Sequence, residues 1–367
     1  MKNAALHLFA ALLITASLLA QFGCNKEETD PTKPNVQLGK LPYPKLSDYR
    51  FFAGNLADMM PQDGVLPYDL NTPLFSDYAH KARFVYMPPG TQATYSHTEA
   101  FDFPTGTVLI KTFYYHNDET DLLKGNRIIE TRLLVKFADK WESYDYIWNE
   151  QQTEATYSVV GKTVPVSWVN EQGNTQTANF LIPNKNECKG CHSLSGKFVP
   201  IGPKARSLNR TLNYPDGTTA NQLAKWTEVG YLNGTPANPD AAPKAAVWNN
   251  PSSGTLEQRA RAYLDINCAH CHNPNGPANN SGLSLSLLET NAFHLGVCKP
   301  PIAAGQGSGG LLYSIVPGKP DESILVYRMN STVLDVAMPE LGRSVIHTEG
   351  LQLIADWIAT LQPAGCP

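Results

Sequence analysis

Between residues 46 and 182, apolar and polar positions alternate with a period close to two, which predicts strands. In 127–137, Ile129, Thr131, Leu133, Val135 and Phe137 fall on one face, and Glu130, Arg132 and Lys136 on the other. Residues 107–115 are β-branched and aromatic, as in a more buried strand. From 141 to 148, Tyr144, Tyr146 and Trp148 share one side. Strands over 164–169 and 176–182 flank Asn170-Glu171-Gln172-Gly173-Asn174, which predicts a hairpin. Short strands at this spacing predict a sandwich or barrel-like sheet whose aromatic faces form its core.

After residue 183 the period lengthens. Leu223, Trp226 and Val229 recur three apart within 219–229. In 255–267, Leu256, Ala260, Tyr263 and Leu264 form one stripe. Thr348 is placed to cap a last helix carrying Leu351, Ile354, Ile358 and Leu361. The stretch 236–254, rich in Pro, Ala and Asn, reads as a linker. The pattern predicts an α+β chain: a β-rich domain over 46–182, a helical segment over 183–235, and a second helical unit over 255–367.

The amino terminus follows different rules. Lys2 precedes an apolar run from Ala4 to Ala20, then Gln21-Phe22-Gly23-Cys24. That run is too short and too early for a spanning helix and predicts a signal peptide over 1–23. Gly23 before Cys24, with Asn25-Lys26-Glu27-Glu28 behind, resembles a bacterial lipoprotein processing site, which implies lipidation of Cys24. Ordinary signal cleavage and an uncleaved anchor are the alternatives. Residues 24–45, with four prolines, read as an extended tether. Export is expected in each case, to the periplasmic side of an outer membrane or the cell surface, where disulfides persist.

With 42% hydrophobic and 17% charged residues, the chain has enough apolar material for real cores. A net charge of −4 offers no basic surface and argues against nucleic acid as a partner.

The chemistry lies in the seven cysteines. Cys188-Lys189-Gly190-Cys191-His192 and Cys268-Ala269-His270-Cys271-His272 repeat one pentapeptide, the attachment motif of c-type haem. Two thiols three residues apart reach two vinyl groups of one porphyrin edge, and the adjacent histidine supplies an axial ligand. Composition alone predicts roughly 0.003 copies in a chain of this length. The competing readings are a zinc site, which does not require a histidine after each pair, and a thioredoxin-like redox pair, which expects a βαβ setting absent from the pattern. Two covalently bound haems c are therefore expected, with His192 and His272 on iron. Four cysteines serve the motifs and Cys24 the lipid, which leaves Cys298 and Cys366 for a disulfide, the alternative being a buried free thiol.

Met338, in Met338-Pro339-Glu340-Leu341-Gly342-Arg343 before the final helix, resembles the sixth-ligand loop of class I cytochromes c. Met329 lies in a helix-like stretch better suited to core packing. The first haem has no local sixth ligand, and its candidates are His80, His97, His116, Met59, Met60, Met87, His270, His294, His347 and Lys204, or an open iron site.

From about residue 45 onward the chain resembles a family of bacterial dihaem c-type cytochromes, companions of exported parallel β-helix proteins. The resemblance rests on residues 67–79, 103–111 and 130–134, on Pro200-Ile201-Gly202-Pro203-Lys204-Ala205-Arg206 and on Pro317-Gly318-Lys319-Pro320-Asp321-Glu322-Ser323-Ile324-Leu325. It implies an exported, lipid-anchored electron carrier with redox partner proteins. The β domain is also weakly similar to cytochrome P460, with no residue assignable to that protein's lysine crosslink. This similarity implies the alternative of a dihaem oxidoreductase with a ligand-accessible first haem.

Overall fold

The computed structural model describes residue 30 and residues 32–302 and 304–367. The signal peptide and Cys24 lie outside the described residues. Among the described residues, no helix is long and apolar enough to cross a membrane.

The chain is mixed α/β and built around one antiparallel sheet. Its strands are β1 (Val65–Pro67), β2 (His80–Tyr86), β3 (Val108–His116), β4 (Asn126–Lys136), β5 (Trp141–Trp148) and β6 (Ala155–Ser158), laid side by side in chain order. The expected sandwich or barrel is instead an open meander with two short edges. The β6 edge is partly covered, because Tyr157 N donates to Pro44 O at 3.0 Å. A separate hairpin, β7 (Lys162–Val169) and β8 (Thr175–Ile182), turns at the anticipated loop, where Gly173 adopts φ +77°.

The two sheet faces have different work. Phe84, Tyr86, Val108, Ile110, Leu133, Val135, Tyr144, Tyr146 and Trp148 pack one face against the segment containing Tyr43, Leu46, Tyr49 and Phe51. The second face carries Val85, Leu109 and Trp141 toward a core shared with later helices. One alternation predicted from sequence fails: Ile129 does not share a face with Leu133. A β-bulge shifts the β3–β4 register between Phe113 and Tyr114, so Ile129 packs with Phe113, Tyr115 and the β7–β8 hairpin.

Six helices follow: α1 (Lys185–Cys191), α2 (Ala205–Leu208), α3 (Gln222–Glu228), α4 (Leu256–Asn267), α5 (Ile324–Met329) and α6 (Thr348–Thr360). In α1 the Asn184 side chain accepts from the Asn186 and Glu187 amides, while Glu187 bonds back to the Asn184 amide. Thr255 and Gln258 form the same box at the start of α4. Thr348 does not cap α6; it lies in the first turn, and His347 occupies the cap position without a side-chain bond. Val229 lies beyond α3 and is exposed, whereas Leu223 and Trp226 are fully buried.

Ala205, Leu208, Leu223 and Trp226 join Ile266 of α4 in the core on the second sheet face. The 236–254 stretch is bound along its length: Ala245 N donates to Arg206 O, Thr72 Oγ1 to Ala246 O, and Asn209 Nδ2 to Ala242 O. α4, α5 and α6 close a third core around Leu264, Ile354, Trp357 and Ile358.

Candidate functional site

Both pentapeptides sit where a helix ends. Cys188 and Cys191 are one turn apart on α1, and His192 is its C-cap. Cys268 is the C-cap of α4, and one further turn follows, with His272 N donating to Cys268 O at 2.9 Å. A helical turn puts residues i and i+3 on one side, so each cysteine pair presents both sulfurs together.

The two motifs open into one cavity of about 650 Å³, lined by both cysteine pairs, His192, His270 and His272. That volume is within the roughly 300–1,000 Å³ of cofactor sites. The motifs also touch. Cys271 Sγ donates to Gly190 O at 3.4 Å, and Cys191, His270 and Cys271 each place a ligand atom within 4.8 Å of the others. All four motif cysteines are free thiols.

Both following histidines have one ring nitrogen committed. His192 Nδ1 bonds Val199 O at 2.8 Å, and a carbonyl only accepts, so Nδ1 carries the proton. His272 Nδ1 lies 3.0 Å from Ser281 Oγ, whose own proton goes to Ala278 O at 2.7 Å. The lone pair is therefore on Nε2 in each ring, the arrangement in which an outer hydrogen bond orients a metal-ligating histidine. Burial lowers the His192 imidazole to about 3, helped by the nearby Lys111 charge, and the His272 imidazole to about 4. Burial pushes the Cys188 and Cys268 thiols up to about 11 and about 12. The neighbouring Cys271 sulfur and His270 imidazole favour ionisation of Cys191. The donor set, with paired free thiols and a tautomer-fixed imidazole beside each pair, fits a haem c at each motif.

Met338 and Met329 both line the cavity, but only Met329 belongs to the carboxy-terminal core. The Met338 loop is tied from two sides. Arg343 Nη2 donates to Met338 O at 2.8 Å and to Ser331 O at 2.7 Å. Asp77 accepts from the Ser344 and Val345 amides at 2.6 and 3.0 Å, which fixes the same loop to the segment preceding β2. Phe75 N donates to Asn267 Oδ1 at 2.8 Å, so residues 75–77 also touch the end of α4. Of the sixth-ligand candidates for the first motif, His270 and His347 line the cavity. His80, His97, His116, His294, Met59, Met60, Met87 and Lys204 do not. His270 Nδ1 is buried without a hydrogen-bond partner among the described residues. His347 is stacked on Phe75 at 4.1 Å and accepts at Nδ1 from, or donates to, Tyr263 Oη at 2.9 Å.

The sheet supplies a wall that sequence reading missed. Cross-strand pairing sets Arg83 opposite Lys111, Lys111 opposite Arg132, and Arg132 opposite Asp145, and all four line the cavity. Arg83 pairs with Asp69 at 2.7 Å and Arg132 with Glu130 at 2.5 Å. Lys111 has no carboxylate within 4.0 Å among the described residues; its ammonium lies over the Phe113 ring, 5.0 Å from the centroid. Burial pushes Lys111 down to about 7 and Asp145 up to about 6. Like charges directly opposite one another destabilise a sheet, so such a row is a mark of a site. The available signal was the alternation itself, which sets Glu130 and Arg132 on the face opposite Leu133 and Val135. No protein-family description, curated protein or solved structure matches this chain.

Proposed function

We propose that the chain is an exported dihaem c-type cytochrome that transfers electrons. Cys188, Cys191 and His192 would hold one haem, and Cys268, Cys271, His272 and Met338 the other. The reading is carried by one observation: two CxxCH motifs face a common cavity, each with its histidine Nδ1 committed and Nε2 free. A bound haem c supplies a one-electron iron couple, and a thioether as sixth ligand raises its potential. His192 and His272 are held in orientation by Val199 O and Ser281 Oγ, and Arg343 and Asp77 hold the Met338 loop against the cavity. The Cys191–Cys271 contact would make the two attachment edges neighbours.

The resemblance to bacterial dihaem cytochromes supports the same reading, as does the lipoprotein-like sequence around Cys24, which would anchor the exported chain to an outer membrane. A zinc site would draw on Cys191, His270 and Cys271 alone and leave Cys188 and Cys268 without a role. A second reading, a dihaem oxidoreductase, draws support from the Arg83–Lys111–Arg132 wall, a polar lining unusual for a pure relay.

The test is the double substitution Cys268→Ala with Cys271→Ala. Haem stain and intact mass should fall from two covalent haems to one, and an unchanged haem count would end the dihaem reading. In the intact protein, two low-spin haems favour the carrier, and a high-spin, ligand-accessible haem favours the oxidoreductase. Cys24→Ser should release the protein from membranes.

A further inference from the structure

At one end of the sheet, on the face away from the cavity, His80 opens β2 and His116 closes β3. The register pairs His80 with Tyr114, so His116 lies two residues further along the same face, and the imidazole centroids are 4.4 Å apart. The chain then turns back and places Glu119 Oε1 2.7 Å from His80 Nε2. One ligand atom from each of His80, His116 and Glu119 lies within 4.8 Å of the other two. Sequence alone admits His80 and His116 as sixth ligands of the first haem, but none of the three residues lines the cavity that the two motifs share.

The surroundings are built to hold this set. Glu119 N donates to Val169 O at 2.9 Å, and the neighbouring Asp118 pairs with Lys124 at 2.6 Å, so the carboxylate sits on an anchored loop. His116 Nδ1 donates to Asn126 Oδ1 at 2.6 Å, which leaves the lone pair on Nε2. Asn126 is the cross-strand partner of His116, so the bond is set by the ladder. The His80 side chain is 38% exposed and that of Glu119 17%, which leaves the group reachable from solvent. A His80–Glu119 ion pair alone would not need a second imidazole beside it with its tautomer fixed.

We propose that His80, His116 and Glu119 bind a first-row divalent transition cation of the zinc type. Two imidazoles and one carboxylate select such an ion over calcium or magnesium, which prefer all-oxygen shells. Metal–ligand bonds of about 2.0–2.2 Å need ligand atoms roughly 3.3 Å apart in a tetrahedral shell, within reach of small side-chain rotations. Three protein ligands leave one position open to water or to an exogenous donor.

The test is calorimetric titration of the full-length, haem-loaded protein with zinc chloride. Wild type should bind one equivalent that His116→Ala and Glu119→Gln lose, at unchanged haem content and circular dichroism. Asn126→Ala, which touches no metal, should weaken binding about 10- to 100-fold by freeing the His116 ring. His294→Ala, removing another His–Glu pair (3.4 Å to Glu289), should leave it unchanged. Zinc held by Cys191, His270 and Cys271 would persist in His116→Ala and so be told apart. Absence of saturable binding in wild type, or equal binding in wild type and His116→Ala, overturns the proposal.

Discussion

Arg206 of α2 grips Asp265 of α4 through two parallel hydrogen bonds, Nε to Oδ2 at 2.9 Å and Nη2 to Oδ1 at 3.0 Å. Both side chains are buried, at 4% and 6% exposure. The pair joins the segment after the first motif to the helix that ends at the second, so it sets how the two motifs meet.

Breaking that pair should be costly. Asp265→Ala leaves a buried guanidinium without its partner, and a loss of about 3–5 kcal/mol is expected in urea denaturation. Burial acts to raise the Asp265 carboxyl, but the Arg206 bonds outweigh it and hold the group below its usual range. A depressed folded value means the contribution is complete above the unfolded value of about 3.9 and is lost as pH falls below it. Asp265→Asn should therefore flatten the acid limb of the stability curve, and an unchanged limb would refute the assignment.

If Cys268, Cys271 and His272 hold a haem as proposed, Met338→Ala should abolish the weak sulfur-to-iron absorption at the red end of the oxidised spectrum and lower that haem's potential. Met329→Ala should instead lower stability by about 2–5 kcal/mol, because Met329 is buried in the α4–α6 core. A sulfur band lost only in Met329→Ala would reverse the ligand assignment. Since both motifs share a cavity, a haem at the first motif should also show a small spectral change in Met338→Ala.

Cys298 and Cys366 are joined by a disulfide with Cα atoms 5.4 Å apart and a sequence separation of 68. Loop closure of that length corresponds to about 4 kcal/mol in the chain-entropy treatment. The double substitution to serine should lower the unfolding midpoint without changing haem content, and an unchanged midpoint would show that the carboxy terminus is held by packing alone.

Lys111 gives a pH test of opposite location. Its ordinary value is about 10.4, and burial brings it to about 7 in the folded protein. Between those values the unfolded chain binds the extra proton, so stability rises with pH across about 7 to 10. Lys111→Met should remove that slope and, at pH 7, raise stability, because Arg83 and Arg132 lose a like-charged neighbour. An identical slope in both proteins would refute this.

Strand positions were legible because period two survives in the sequence wherever one face is buried, as with Tyr144, Tyr146 and Trp148. The bulge at Ile129 was not, since an extra residue shifts phase without a sequence mark of its own. The motif residues could be named from spacing, but not the meeting of Cys191 with Cys271. That contact depends on how the α1 and α4 ends are brought together by packing on one sheet, a long-range result that local pattern does not carry.

The closeness of Cys191 and Cys271 bears on maturation. On the dihaem proposal, six thiols among the described residues would have to be sorted: Cys298 and Cys366 into an oxidised bridge, and four others kept reduced until each pair takes up its porphyrin. Geometry puts a mispaired crosslink, one that would seal both motifs at once, within reach of the folded chain. Thioether formation at either motif would remove that hazard for the other, so loading one haem would protect the second site before it is filled.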